Sequence, residues 1–326
     1  MPKILIDNIL NNEEAWIKQK VNSIGSGDIA CIAGADRFKT PLKLWAIKTR
    51  REPPEPENDH MWWGKQMESP IAQLCKRKLD LDIEYGNQLF GHDSIPWATA
   101  TPDYFATGLS VPFENVVGVP APIGERMILE CKNVSFRGRQ FWVDDTPLAP
   151  RIQVMWQMGI AGINRAVIAP LIGGDHEAFE ARYVRYDARI MDQLLQLADQ
   201  FMWHVQKDVP PAAQTAADSK VIDKIWPELE DRLMPLPDDF AAELEEAKRM
   251  SDKRKVFESE ARKLEEQEKI IKNKARLLMS GAKKAECGKY TVSVSMANVK
   301  EKITKAYSYA RVTIKSPESE TEVESE

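Results

Sequence analysis

The sequence has few residues of the kinds that bind transition metals. It contains four cysteines and four histidines among 326 residues. The cysteines are far apart and form no CxxC pair, and the histidines have no HExxH spacing, so the sequence predicts neither a zinc site nor an iron–sulfur cluster. A bound metal would therefore have carboxylates and other oxygens as ligands, which favours magnesium or manganese.

The sequence also lacks long apolar segments. No stretch reaches the roughly 18 uninterrupted apolar residues of a membrane span. Residues 1–16, MPKILIDNILNNEEAW, have neither the basic region nor the small-residue cleavage site of a secretory signal peptide. The chain is therefore expected to be cytoplasmic and to have no membrane partner.

The charges give no large excess of one sign. The formal net charge is −5, but residues 316–326 alone contribute five glutamates and no lysine or arginine, so the rest of the chain is formally neutral. Overall charge thus gives no support for nucleic-acid binding. A neutral body can nevertheless carry a local basic groove.

Composition predicts three segments. Residues 1–210 mix helix and strand patterns, which predicts an α/β core with a mixed β-sheet. Residues 211–315 form an extension, in which the highly charged stretch 238–280 predicts a long, solvated helix and the alternation after it predicts a small β element. Residues 316–326 are expected to be a disordered acidic tail.

Local patterns in the first segment give a coarse order of elements. Residues 11–50 are interpreted as two short helices around the small-residue turn IGSGDIACIAG, with Asp28 as an N-cap. A helix is predicted over about 61–78, after a Pro/Glu-rich loop. Residues 82–107 contain two strand candidates, and the second ends near the sequence TPD.

The stretch RMILECKNVS, residues 126–135, places charged residues at the end of a predicted buried strand. Successive side chains of a strand point to opposite faces, so Glu130 and Lys132 share one face and Cys131 points to the other. An acid and a cation are therefore held side by side near the core.

A second acid is expected beside this strand. Asp103 ends a strand candidate, and the interval to Glu130 is long enough for a loop and a return strand, so the two carboxylates can lie on neighbouring strands. With the carbonyl of Cys131 between them, they would form a hard oxygen site for a divalent cation, with Glu68 as a further acid from its helix. Lys132 would be paired beside them, which suits phosphodiester hydrolysis; the alternative is a surface ion pair at a strand end.

The ordered set of motifs resembles the phage exonucleases of the lambda exonuclease or YqaJ type, within the PD-(D/E)XK nuclease superfamily. The matching stretches span roughly residues 20–165 and are IGSGDIACIAG, KTPLKLWAIKT, WWGKQMESPIAQ, TPDYF, ILECKNVS and RIQVMWQMGIAG. The resemblance implies an α/β, restriction-endonuclease-like core with a central mixed β-sheet flanked by helices.

The resemblance also implies roles for the acids. Asp103, Glu130 and the carbonyl of Cys131 would bind two Mg²⁺ ions, with Mn²⁺ as a substitute, and Glu68 would complete the metal site. These residues would thus be the metal ligands of a magnesium-dependent deoxyribonuclease.

Two further residues would support the chemistry. Lys132 would orient or activate the attacking water, and Gln153 would support that lysine. The family often has a second glutamine two residues later, where this chain has Met155; Gln157 is the nearest replacement.

The resemblance implies contacts with DNA at two places. The turn around Ser26, together with Lys20, would form a pocket for the 5′-phosphate, although Gly27 stands where the family commonly has serine. Arg137 and Arg139 follow the strand and would contact the DNA backbone. The alternatives are an ordinary helix N-terminus with a solvated lysine, and a solvated loop.

The implied function is 5′-to-3′ exonuclease activity on linear double-stranded DNA, which leaves 3′ single-stranded tails for phage-type homologous recombination by strand annealing. Implied partners are double-stranded DNA ends, two further copies in a homotrimeric ring and a single-strand annealing protein, in a bacterial host or phage-infected cell. The alternatives are a PD-(D/E)XK endonuclease, a single-strand nuclease, or a non-catalytic DNA-binding module on the same fold.

Overall fold

The structure is a computed structural model that describes residues 2–112, 116–228 and 230–295. The chain divides into two compact units, Met1–Pro227 and Glu228–Glu326. Residues 211–227 lie in the first unit. The domain boundaries drawn from composition at residues 210 and 315 stay predictions, and the expected acidic tail lies outside the described residues.

The first unit alternates helices and strands. Its helices are α1 (Glu13–Val21), α2 (Ser26–Ile32), α3 (Pro41–Lys48), α4 (Asp59–Leu79), α5 (Leu148–Ala161), α6 (Ala188–Lys207) and α7 (Ser219–Ile225). Its strands are β1 (Lys3–Asp7), β2 (Leu81–Tyr85), β3 (Gln88–Gly91), β4 (Thr99–Ala100), β5 (Tyr104–Gly108), β6 (Val116–Val117), β7 (Arg126–Val134), β8 (Arg165–Ile172) and β9 (Ala181–Arg185).

The central sheet has six strands in the order β2-β5-β7-β8-β9-β6. Strand β7 pairs antiparallel with β5 on one side and parallel with β8 on the other, and the helix α5 forms the crossover of the parallel pair. The sheet is therefore mixed, with helices on both sides. The predicted fold class, an α/β restriction-endonuclease-like core, is confirmed.

Alternation along β7 gives each face of the sheet its own core. Ile128 packs with apolar residues of α2, α5 and α6, including the fully buried Trp156. Met127 and Leu129 point to the opposite face and pack with apolar residues of α4 such as Ile71. Glu130 and Lys132 follow Ile128 at intervals of two residues, so the alternation places them on the face covered by α2 and α5.

The helices that carry site residues have clear boundary signals. Asn58 caps α4, since its side-chain oxygen accepts a hydrogen bond from the Met61 N–H, and the helix continues through Pro70. Helix α5 ends at Gly162, whose φ of 65° is in the left-handed region that favours glycine.

Residues 11–50 differ from the sequence-based expectation. They form three helices, not two. Asp28 is not the N-cap of α2; Gly25 holds that position, and the Asp28 carboxylate accepts a hydrogen bond from the Gly25 N–H at 3.4 Å. The strand candidates of residues 82–107 are also more divided than expected, because β3 and β4 join β1 in a separate three-stranded sheet.

The second unit contains the predicted long helix and part of the predicted β element. Helix α8 (Ala241–Met279) is almost wholly exposed, and β10 (Lys284–Cys287) pairs antiparallel with β11 (Tyr290–Ser293). The expected β element beyond residue 295 lies outside the described residues. None of the helices that the structure describes is long and apolar enough to cross a membrane.

Candidate active site

Two acids meet where β5 begins, beside the middle of β7. The antiparallel register pairs Tyr104 with Leu129, which brings Asp103, just before β5, alongside Glu130 of β7. The Cys131 N–H donates a hydrogen bond to Oδ2 of Asp103 at 3.0 Å. The structure therefore places Asp103, at the start of β5, beside Glu130 of the neighbouring strand β7. Glu130 is only 1% exposed, and Cys131 is also buried.

Lys132 is held between an acid and an amide. Its Nζ donates to Oε1 of Glu130 and, at 2.9 Å, to Oε1 of Gln153 on α5. Burial acts to lower the pKa of Lys132, but the charges of Glu130 and Asp103 outweigh it and raise that pKa above its ordinary value. The structure thus brings Gln153 to the lysine that it would support.

A close approach of Gly86, directly after β2, fixes the backbone before β5. The Gly86 N–H donates to the Asp103 carbonyl at 2.9 Å. A Cβ at position 86 would lie 2.1 Å from the Pro102 carbonyl oxygen and 2.9 Å from that of Asp103. Only a glycine allows this approach, so Gly86 sets the position from which the Asp103 carboxylate reaches the site.

Glu68 on α4 belongs to the same electrostatic cluster. It is half-buried, and burial together with the charge of Glu130 raises its pKa, while Lys132 and Lys65 oppose that rise. Burial raises the pKa of Asp103 well above its usual range, and the charges of Glu130 and Glu68 add to that effect. Three carboxylates therefore lie within the electrostatic influence of one half-buried lysine.

This donor set fits a hard divalent cation. Three carboxylates exceed the single charge of Lys132, and carboxylate oxygens are the ligands that Mg²⁺ prefers. Within the described residues, no three acidic, histidine or cysteine side chains converge closely enough to hold an ion by themselves. Asp103 and Glu130 would therefore need further oxygens, such as the Cys131 carbonyl, water or the Glu68 carboxylate.

Gln157 lies one turn beyond Gln153 and is buried. The sequence suggested it only as a replacement for the glutamine that Met155 displaces. Its Nε2 donates to Oε2 of Glu130 at 2.9 Å and contacts Oγ of Ser26 at 3.5 Å. Met155, at the position where the family often has glutamine, is buried and contacts the Asp187 N–H through its sulfur. The i, i+4 spacing of the two glutamines was the signal available in the sequence.

The turn at Ser26 contains a buried acid with two lysines. The Asp28 carboxylate lies 2.8 Å from Nζ of Lys48 and 3.1 Å from Nζ of Lys39. Burial opposes ionisation of Asp28, yet the two lysines hold its pKa below the usual range. Nζ of Lys48 also donates to the main-chain carbonyls of Lys20 and Ser23, so this lysine ties α3 to the end of α1.

Lys20 lies at the edge of this cluster. Its Nζ is 4.9 Å from the centre of the Trp16 ring. Burial lowers the pKa of Lys20, and Lys39, Lys48 and Lys65 lower it further, while Asp28 opposes them. The predicted pair Lys20 and Ser26 thus lies in a region where lysines outnumber the acid between them.

The two predicted arginines lie directly beyond β7. Arg137 and Arg139 are exposed in a 3₁₀ helix, Phe136–Phe141, that Ser135 caps by accepting a hydrogen bond from the Gly138 N–H. Both guanidinium groups are therefore free of the core and carried by the element next to Lys132.

The mixed sheet and this cluster resemble a PD-(D/E)XK-type core, with the acid, the E-x-K pair and the glutamine bonded to the lysine on adjacent elements. The predicted resemblance to YqaJ-type proteins is confirmed, since residues 15–164 match the model of the YqaJ-like viral recombinase domain. The uncharacterized protein YqaJ of Bacillus subtilis (strain 168) is 24% identical over 203 residues, which cover 61% of this chain. The match spans 58% of that relative's own length, little more than half.

Solved structures include two exonucleases that this chain resembles. An alkaline exonuclease from Laribacter hongkongensis is 12% identical, with 60% of this chain and 94% of that chain covered and a TM-score of 0.46. A phage-related exonuclease from Haemophilus somnus 129PT is 11% identical, with 57% and 95% covered and a TM-score of 0.41.

Proposed function

We propose that this protein is a magnesium-dependent exonuclease that degrades the 5′-ended strands of linear double-stranded DNA and leaves 3′ single-stranded tails. The observation that carries the proposal is the cluster in which the buried Glu130 and the half-buried Lys132 lie beside Asp103, with Gln153 bonded to the lysine. A buried acid paired with a half-buried lysine on an interior strand, each with a further hydrogen-bond partner, is more than a surface ion pair.

The chain's own residues would divide the work. Asp103 and Glu130, with the Cys131 carbonyl and Glu68, would hold two Mg²⁺ ions, with Mn²⁺ as a substitute. When bound, the metal would supply a water activated for attack and would neutralise charge on the scissile phosphate. Lys132 would orient that water, and Gln153 would fix the lysine in the direction of the acids.

The Ser26 turn would receive the DNA end. Lysines around Asp28 outnumber its charge, and the Ser26 hydroxyl lies on the buried side of the turn next to Gln157. A 5′-phosphate would compensate the surplus positive charge, with Lys20 as a point charge and Ser26 as a hydrogen-bond donor. Arg137 and Arg139 would contact backbone phosphates without reading sequence.

The biological setting follows the same proposal. The enzyme would act in the cytoplasm of a bacterial host or phage-infected cell, in homologous recombination by strand annealing. It would form a homotrimeric ring around its substrate and hand the exposed 3′ tail to a single-strand annealing protein. The second unit would supply either the docking surface for that protein or part of the subunit interface.

The test uses a linear duplex, 5′-phosphorylated and labelled separately on each strand, beside a covalently closed circle. With Mg²⁺, the wild-type protein is expected to remove nucleotides from the 5′ ends only and to leave the circle intact. Chelation should abolish the reaction, and added Mg²⁺ should restore it. Lys132→Ala should be inactive, whereas Lys220→Ala, at an exposed lysine of α7, should behave as wild type.

Each of the other possible results would support one of the alternative functions. Cutting of the circle would identify an endonuclease, and digestion of single strands alone a single-strand nuclease. Binding of the duplex without any cleavage under all metal conditions would identify a non-catalytic DNA-binding module and end the catalytic proposal.

A further inference from the structure

Gln157 bridges two parts of the site that lie on different elements. It is fully buried in α5, and its amide nitrogen reaches Oε2 of Glu130 at 2.9 Å and Oγ of Ser26 at 3.5 Å. The other oxygen of Glu130 is held by Lys132. One amide group therefore connects the turn at the start of α2 with the acid of the site strand.

Packing alone does not explain an amide side chain at position 157. Within the described residues, Oε1 of Gln157 is buried and has no hydrogen-bond partner. A buried acceptor without a partner is unfavourable, whereas an unbranched apolar side chain of similar shape would fill the space without that penalty. What distinguishes the glutamine at this position is the nitrogen that donates in two directions.

The contacts form a continuous chain of hydrogen bonds. It runs from Ser26 through Gln157 to Glu130, and from there through Lys132 to Gln153. Because Oγ of Ser26 accepts from the amide, the serine keeps its own O–H to donate to a phosphate oxygen. A hydroxyl drawn toward a phosphate would move its acceptor oxygen, and the amide nitrogen would follow or release Glu130.

We propose that Gln157 is a positioning residue that couples occupation of the Ser26 turn by a 5′-phosphate to the orientation of the Glu130 carboxylate. The inference rests on the proposed 5′-end exonuclease function. Gln157 touches neither substrate nor metal in this scheme. Its effect is therefore expected in kcat and in the discrimination between end types, with little change in KM.

The test compares 5′-phosphorylated and 5′-hydroxyl linear duplexes in steady-state assays. The wild-type protein is expected to degrade the phosphorylated duplex with the higher kcat. Gln157→Met should lower kcat on that duplex about tenfold to a hundredfold, as for loss of a hydrogen bond to a charged group, and should bring the two duplexes to similar values. Met158→Leu, at the next buried position of the same helix, is the matched control and should retain the wild-type ratio.

Two measurements besides catalysis separate positioning from a merely structural role. The thermal unfolding midpoint of Gln157→Met should fall only slightly, because removal of the unpaired acceptor offsets part of the cost of losing the hydrogen bond to Glu130. Affinity for the phosphorylated duplex without divalent metal should also be unchanged. Gln157→Asn, whose shorter side chain cannot span both partners, should reproduce the loss of discrimination if the methionine variant does not fold.

A double variant tests the route through Ser26. If the turn acts through the amide, Ser26→Ala combined with Gln157→Met should be no slower than the worse single variant. Retention of the wild-type ratio by both Gln157 variants would overturn the coupling and leave the exonuclease proposal standing. Absence of 5′-end degradation by the wild-type protein would instead overturn the proposed function, and the coupling with it.

Discussion

At the scale of single residues, Lys132 depends on Gln153 for its direction. The Nζ–Oε1 hydrogen bond of 2.9 Å is the contact that the structure describes between the lysine and α5. Gln153→Ala is expected to lower kcat about tenfold to a hundredfold, because a hydrogen bond to a charged group is removed. Nuclease assays on a linear duplex measure this, and an unchanged kcat would contradict it; Gln140→Ala, at an exposed glutamine, is the control.

Asp28 predicts an acid-dependent component of stability. Its pKa is lowered in the folded protein, so its contribution to the free energy of unfolding is complete above its unfolded pKa of about 3.9 and is lost as the pH falls through the lower folded pKa. Asp28→Asn should cost about 3 kcal/mol at neutral pH, since two lysines lose a buried partner.

Denaturant unfolding at a series of pH values checks this prediction. The difference in stability between wild type and Asp28→Asn should narrow as the pH falls below about 4. A difference that stays constant across that range would contradict the assignment. Asp199→Asn, at an exposed position of α6, should leave stability nearly unchanged at every pH.

Much of the site was predictable at the level of residues, because it depends on neighbouring positions of one strand. The alternation of β7 predicted that Glu130 and Lys132 share a face, and the structure places them there. The ion pairs of Asp28 with Lys39 and Lys48 were not predictable, since they join residues 11 and 20 positions apart whose meeting depends on how α2 and α3 pack. Without that packing, Asp28 resembled an ordinary helix cap.

At the scale of elements, the join between β2 and β5 controls one acid of the site. Gly86→Ala would place a Cβ 2.1 Å from the Pro102 carbonyl oxygen, so the backbone before Asp103 must move. We expect a loss of activity of about a hundredfold, as for misplacement of a reacting group by about 1 Å. Gly64→Ala in α4, where the added Cβ meets no atom within 4 Å, is the control and should retain activity.

Gly86→Ala and Gly64→Ala together test whether the close approach of Gly86 places Asp103. Equal activity of Gly86→Ala and wild type, with both folded by circular dichroism, would contradict the role of the close approach in placing Asp103. A loss of activity confined to Gly86→Ala would show that the close approach of Gly86 to Pro102 positions the site.

The 3₁₀ helix after β7 predicts a salt-dependent contact with DNA. Arg137 and Arg139 are exposed, and each phosphate contact releases counterions, so Arg137→Ala and Arg139→Ala should each reduce the log–log salt slope of duplex binding by about 1. Binding titrations over a range of salt concentrations measure the slope. Unchanged slopes in both variants would mean that the two arginines are solvated and do not contact DNA. Arg189→Ala, at an exposed residue of α6, is the control.

Elements with strong periodic signals were predicted, and short ones were not. The strand β7 and the helices α4 and α8 agree with the predictions for residues 126–135, 61–78 and 238–280. Strand β1 and the three-stranded sheet that it forms with β3 and β4 were missed, because a short strand is defined by its distant partner more than by its own composition.

At the scale of the whole molecule, every candidate site residue lies in the unit Met1–Pro227. A chain that ends at Pro227 is therefore expected to unfold cooperatively and to retain cleavage of a linear duplex. Circular dichroism and the labelled-duplex assay test this, with the full chain as control. A truncated chain that cannot fold would contradict the independence of the unit.

The same truncation tests the role of the second unit. If residues 228–326 serve the subunit interface, the shortened chain should lose the homotrimeric mass that light scattering would give for the full chain. If they serve as the docking surface, the mass should be retained and binding of a single-strand annealing protein should be lost. Sequence composition predicted the long, exposed helix of this unit but gave no partner for it.

The course of β7 has a consequence for how the protein folds. Most of the site lies between residues 103 and 157, on β5, β7 and α5, which are near one another in the sequence. Contacts between nearby segments close shorter loops and so form faster than contacts between distant ones. We expect the two acids, the lysine and the glutamines to assemble early, and the turn of α2 to dock onto Gln157 later. The N-terminal region would therefore complete a site that β5, β7 and α5 had already formed.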